Sequence, residues 1–223
     1  MREPTIQQKL DVASEDELPE GWKRTTLGAI STFELGRTPA RKEKAYWDGG
    51  KYPWVTISDM REQSTVLTTN EMITERALQE CFGGELVERG TLLMSFKLTI
   101  GRTAILGIDA GHNEAIVSIY PGDEVLRDYL FYYLPTLDYT QYQDKAIKGN
   151  TLNKTKIGNI VVTLPPVAAQ QEIIEILSRV TTLQELCSLQ EKLMLDLSES
   201  LAGRLFSGRY YHWRVGLRSS GII

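Results

Sequence analysis

Between Val167 and Ala202 the chain contains neither glycine nor proline. A run of about 36 residues without a breaker predicts one helix of roughly 54 Å, at 1.5 Å per residue. Within it Ile176, Val180, Leu183, Cys187, Gln190, Met194, Leu197 and Leu201 alternate steps of four and three, and all but Gln190 are apolar. That is a coiled-coil seam over about four heptads. Gln190 reads either as a register-setting polar residue or as a half-exposed one. Gly203 is expected to end the helix. A helix this long exceeds the usual length by far, and the rest of the chain is too small to cover all of it. A second helix from another chain is the expected partner, and the eight seam residues are the expected dimerisation surface.

The remainder must supply a globular domain. At 223 residues, 42% hydrophobic and 24% charged, the chain has the composition of a soluble protein able to bury a core. The formal charge is −4, which excludes a uniformly basic nucleic-acid binder but not a basic face. Residues 1–20 are acidic, 21–166 balanced, 167–202 acidic, and 203–223 carry four arginines and no acid. No stretch of about 18 apolar residues predicts a membrane span. The acidic leader is the opposite of a secretory signal, so a cytoplasmic location is expected. Cys81 and Cys187 stand apart without a CxxC, and two buried, reduced thiols are expected.

Known catalytic signatures are absent. The two histidines, His112 and His212, build no metal site, and no P-loop, GxGxxG helix start or GxSxG is present. Pro165-Pro166 follows Leu164 and precedes Val167, so it is not the Asn/Asp-Pro-Pro-aromatic loop of an amino-methyltransferase. None of the eleven lysines has an acid two residues before it, as a common nuclease core requires. A non-catalytic chain is expected.

The local pattern predicts a mixed α/β domain over 18–166. Residues 1–17 read as a leader, 167–203 as the helix and 204–223 as a basic tail. Thr25–Phe33 reads as a short strand or helical turn. Strands are expected at 54–57, 91–96, 102–108, 115–120 and 157–164. Helices are expected at 74–81, with Thr74 as cap and Leu78 buried, and at 126–139, its end blurred by Pro135.

Three segments mix cations with loop residues. Arg37, Arg41, Lys42 and Lys44 surround Thr38, Tyr46 and Trp47. Cations neutralise phosphates, arginine can read guanine, and aromatics can stack. The alternative is a solvated loop anchored by its aromatics. Lys145, Lys148, Asn150, Thr151 and Lys154 offer a second phosphate- or base-contacting stretch, or a plain surface turn. Lys97 and Arg102 flank a tight strand connection. His112 reads as a surface-turn residue, and Asn113 as a loop-fixing one.

In order along the chain, these pieces resemble half of a type I restriction-modification specificity subunit. The matching pieces begin with Leu18-Pro19-Glu20-Gly21-Trp22, Gly36-Arg37-Thr38-Pro39 and Tyr46-Trp47-Asp48-Gly49-Gly50. Pro53 through Asp59, Ile73-Thr74, Thr91 through Ser95 and Gly101 follow. Asn113-Glu114-Ala115-Ile116 is a looser match. Gly149-Asn150-Thr151, Leu164-Pro165-Pro166 and Gln170 through Ile174 complete the series. The resemblance spans about residues 18–203, and its weight lies in the succession rather than in any single motif.

The family usually carries two target-recognition domains separated by long helices, each reading half of a split DNA site. The resemblance therefore implies double-stranded DNA, a methyltransferase subunit and a restriction subunit as partners. S-adenosylmethionine would belong to the first of these subunits, and ATP and Mg²⁺ to the second. One domain and one helix imply a half-subunit, naturally short or truncated. Two copies with antiparallel helices would form a two-fold dimer on a palindromic, interrupted site. A separation near 50 Å corresponds to roughly 15 base pairs at 3.4 Å each. The rival readings are a coiled-coil interaction or inhibitor protein that does not read DNA, and an enzyme with an unfamiliar site.

Overall fold

A computed structural model describes residues 18–61, 63–142 and 152–206. They fall into two compact units divided between Ile174 and Glu175.

The first unit opens with β1 (Lys23–Thr26), a single helical turn α1 (Leu27–Ile30) and β2 (Ser31–Leu35). A loop with a 3-10 turn at Lys44–Tyr46 leads to β3 (Tyr52–Val55), β4 (Ser64–Val66), β5 (Glu71–Ile73) and helix α2 (Glu75–Phe82). Next come β6 (Leu92–Ser95), β7 (Thr103–Leu106), β8 (Gly111–His112), β9 (Ile116–Pro121) and helix α3 (Arg127–Tyr133). Helix α4 (Lys154–Gly158), β10 (Val161–Leu164) and the long helix α5 (Val167–Phe206) close the chain.

The strands make a five-stranded sheet, β2-β9-β6-β7-β4, a three-stranded sheet, β5-β3-β8, and the pair β1-β10. Pairing is antiparallel except for β4 with β7 and β3 with β8. Central β6 is buried on both faces, which matches its unbroken apolar run Leu92-Leu93-Met94. One face packs on α3 and α4 through Leu92, Met94, Leu130 and Ile157. The other meets Val55, Met60 and Leu106. A third cluster, Trp54, Ile73, Ala77 and Leu78, fixes α2 on the small sheet.

Helix α2 forms as its sequence directs. Thr74 accepts from Ala77 N at 3.3 Å, Leu78 is buried, and Gly83 ends the helix at φ +73°. The expected strand at 157–164 divides instead. Asn153 accepts from Lys156 N and starts α4, Ile157 turns inward, and only Val161–Leu164 pairs as a strand. Gly28 on α1 lies against Gly158 on α4, where an added Cβ would sit 3.0 Å from the Gly158 carbonyl. The helix expected at 126–139 stops at Tyr133, and Pro135 falls in a 3-10 turn.

Helix α5 has 40 residues and does not end at Gly203. It runs to Phe206, so Arg204 is helical and not part of a tail. A glycine costs a helix interior about 1 kcal/mol, and the flanking Leu201, Ala202 and Leu205 carry the turn past it. The first two turns of α5 belong to the first unit, where Ile173 and Ile174 pack on the core. Along the second unit, seam residues Ile176, Leu183, Met194 and Leu197 are 55–63% exposed. Cys187 is also exposed and Cys81 only half-buried, contrary to the two buried thiols expected. Leu186, Leu189 and Leu193 are exposed beside the seam. At 100° per residue they widen the apolar arc to about half the circumference.

Candidate nucleic-acid interface

Strand register places the sequence-predicted segments at one end of the five-stranded sheet. β2 and β6 both end where β9 begins, because Leu35 pairs with Val117 and Ser95 with Ile116. The loop carrying residues 37–47 and the connection carrying 97–102 therefore leave from the same end. β4 and β7 start there too, since Ser64 pairs with Ala104. Leu152 N donates to Phe96 O at 3.0 Å, so the chain also returns to this end just before Lys154. Lys145, Lys148, Asn150 and Thr151 lie outside the described residues.

The 37–47 loop is pinned at its base. Gly36 N donates to Ile116 O at 3.1 Å and Arg37 N to His112 O at 2.8 Å. A Cβ on Gly36 would collide with Asn113 O and His112 Nδ1, which explains the glycine. The aromatics act as anchors. Trp47 packs edge-on against buried Trp54 with centroids 5.1 Å apart, and its indole N–H donates to Ala40 O. Tyr46 donates to Glu80 at 2.6 Å, and Trp54 to Arg37 O at 3.0 Å. With Tyr46 and Arg76 both donating to it, the Glu80 carboxyl is held below the usual range.

The cations separate into two sets. Arg41 stacks 4.1 Å from the Trp47 ring centroid and 4.7 Å from that of Trp54, and it grips Glu71 with both guanidinium nitrogens. Arg37 donates to Cys81 O at 2.7 Å. Arg102 donates to Met60 O at 3.1 Å. These three arginines hold the loops in shape. Lys42, Lys44 and Lys154 are exposed, and Thr38 and Lys97 half-buried, with Lys97 Nζ 5.7 Å from the Phe96 ring centroid. Among the described residues, Lys42, Lys44, Lys97 and Lys154 are left to meet an anion at this end of the sheet.

His112 is not a surface-turn residue. It lies on β8 at 2% exposure, and Nε2 meets Ser118 Oγ at 2.7 Å. Burial pushes its pKa down to about 4. The neutral ring, with Nδ1–H facing Asn113 O at 3.3 Å, ties the small sheet to the large one directly beneath Gly36. Asn113 caps its own turn by accepting from Ala115 N, as expected. Among the described residues no group of His, Cys, Asp and Glu could hold a metal ion.

The sequence profile of the type I restriction modification DNA specificity domain matches residues 19–193. The chain belongs to this family. It is 28% identical over 194 residues to the MjaIX type I restriction enzyme specificity subunit of Methanocaldococcus jannaschii, covering 85% of this chain and 44% of that one. To the EcoR124I/EcoR124II specificity subunit of Escherichia coli it is 23% identical, covering 73% and 41%. The chain thus spans less than half the length of these relatives. Among solved structures, the HsdS subunit from Thermoanaerobacter tengcongensis aligns with a TM-score of 0.57 at 23% identity, over 74% of this chain and 39% of that one. A chain from a study of assembly and conformational transition of the type I R-M system aligns at 0.60 and 22%, over 78% and 41%. At these identities the structural likeness speaks for the fold.

The specificity domain contains working parts whose roles the sequence did not reveal. The family-like run ending in Ser58-Asp59 is a structural clasp. Asp59 accepts from Thr56 N and Oγ1 and, through its other oxygen, from Asn70 N and Nδ2. The Thr-x-x-Asp spacing could have announced it. Exposed Arg61 follows at the sheet end, and no local signal marked it. Gln170, 0% exposed, donates to the carbonyls of Glu124 and Pro165 and accepts from Leu126 N at 2.8 Å. No helix of the described chain is long and apolar enough to cross a membrane.

Proposed function

We propose that this chain is a non-catalytic DNA-recognition subunit of a type I-like restriction-modification system, reading one half of a bipartite site in double-stranded DNA. The observation that carries this reading is the convergence of two cation-bearing loops, 37–47 and 97–102, on one end of the five-stranded sheet, to which the chain returns just before Lys154. Exposed lysines there can track phosphates, while arginines locked to carbonyls and tryptophans keep the loops in register. The balanced charge of the domain fits a reader whose affinity is supplemented by a partner. A methyltransferase subunit would contribute S-adenosylmethionine and base flipping. A restriction subunit, where present, would contribute ATP and Mg²⁺ chemistry.

The exposed seam of α5 suits a second copy of the chain in antiparallel array, giving two recognition domains related by a two-fold axis. The flanking row Leu186, Leu189 and Leu193 exceeds what one partner helix covers, and it suits the methyltransferase subunit. The test is charge reversal. K42E/K44E is expected to weaken duplex binding by tenfold or more at low salt and to lower the salt slope by about two. Unchanged binding and methylation phenotype would favour the coiled-coil interaction protein instead. Methylation or cleavage by the pure chain would establish an enzyme.

A further inference from the structure

The connection between β6 and β7 holds an arrangement that the folded chain by itself does not need. Leu98 sits at its tip with φ +63°, in the left-handed region that side chains with a Cβ avoid. Its side chain is 80% exposed. Backbone strain and lack of burial both favour glycine or asparagine over leucine at such a position, so the leucine side chain stabilises nothing in the free protein. The loop around it is nevertheless tightly built. Thr99 N donates to Lys97 O at 2.7 Å, Gly101 N to Ser95 O at 2.9 Å, and Ser95 Oγ to Thr99 O. Gly101, at φ +86°, lets the Tyr139 ring approach where a Cβ would collide with it. The neighbouring turn carries the other non-glycine residue with positive φ among those described, Gln63 at +47°, whose N–H donates to Thr103 O at 3.1 Å. Arg102 links the two turns through Met60 O. A rigid, strained loop thus presents one bare apolar group at the sheet end that carries Lys42, Lys44, Lys97 and Arg61.

We propose that Leu98 is a specificity-determining residue that makes an apolar contact with base edges in a DNA groove, while Lys97 beside it meets phosphate. The inference rests on the DNA-reading function proposed above. Apolar side chains read thymine methyl groups or wedge between base steps, and they do so without changing the electrostatics of binding. Charge and sequence preference therefore separate at neighbouring residues of one loop.

The test uses the full chain at low salt and a pool of duplexes with a randomised central segment, sequenced before and after capture. Wild type is expected to enrich a motif. L98G and L98N, both compatible with the left-handed backbone, are expected to melt at or above the wild-type temperature. They should lose preference by about tenfold at one or two adjacent positions of that motif and keep the wild-type salt slope. K97A should lower the salt slope by about one and keep the motif. If L98G and L98N enrich the wild-type motif at every position, or shift the salt slope as K97A does, Leu98 reads no base and the proposal falls while the DNA-reading function stands. If wild type captures no duplex either alone or together with its methyltransferase subunit, the DNA-reading function itself fails and takes the proposal with it.

Discussion

At the scale of single residues, side chains that look functional in sequence are divided by their neighbours into those tied to the protein and those facing solvent. Arg41 and Lys42 are adjacent, yet one is stacked on two indoles and paired with Glu71, and the other faces solvent. His112 is the sharpest case. Its imidazole is held neutral by burial, with a pKa near 4 against 6.5. As pH falls below 6.5 the unfolded chain takes up a proton that the folded chain refuses until about pH 4. Stability is therefore full above 6.5, falls through this window and levels below it. The difference amounts to about 3 kcal/mol. Comparing urea unfolding at several pH values for wild type and His112→Asn checks this. The variant should start less stable and lose less stability between pH 6.5 and 4, and parallel curves would contradict it.

At the scale of elements, α5 is governed by its two ends more than by its middle. Its periodicity is plain in the sequence, but what docks its start is one buried amide. Gln170 closes three hydrogen bonds to α3's first turn and to the carbonyls on either side. Gln170→Ala would remove the partner of one backbone N–H and two carbonyls in a buried or half-buried setting, a loss of about 2–4 kcal/mol. Denaturant unfolding should show it, and Gln171→Ala, on the exposed neighbour, should change little. The far end runs through Gly203 because helix propensity is a small term there. The strand expected at 157–164 gave way to the end of a helix and a shorter strand because the Asn153 cap outweighed the β-branched run that follows.

At the scale of the whole molecule, the exposed seam sets the expected state in solution. Light scattering of the full chain is expected to give a mass near twice 25.2 kDa. L183D/L197D should return it to a monomer without altering the melting of the first unit. A wild-type monomer at every concentration would instead assign the seam to a different partner. A dimer further predicts that the captured DNA motif is palindromic and interrupted. The profile match over residues 19–193 and the ordered motifs agree on the family.

The sequence by itself determined the long helix, the central β6, the α2 cap and the family, because each is written in local periodicity or in an ordered series of short motifs. Only the tertiary structure decided which cations are spent on carbonyls and indoles, and that β2, β6 and β9 bring distant loops to one end. It also decided that His112 is buried and that Leu98 stands bare on a strained loop. The fate of the cations, the gathering of the loops and the burial of His112 depend on contacts between residues tens of positions apart, such as Arg41 with Glu71 and His112 with Gly36. No window along the chain contains both partners, so no local pattern can encode which side chains remain free.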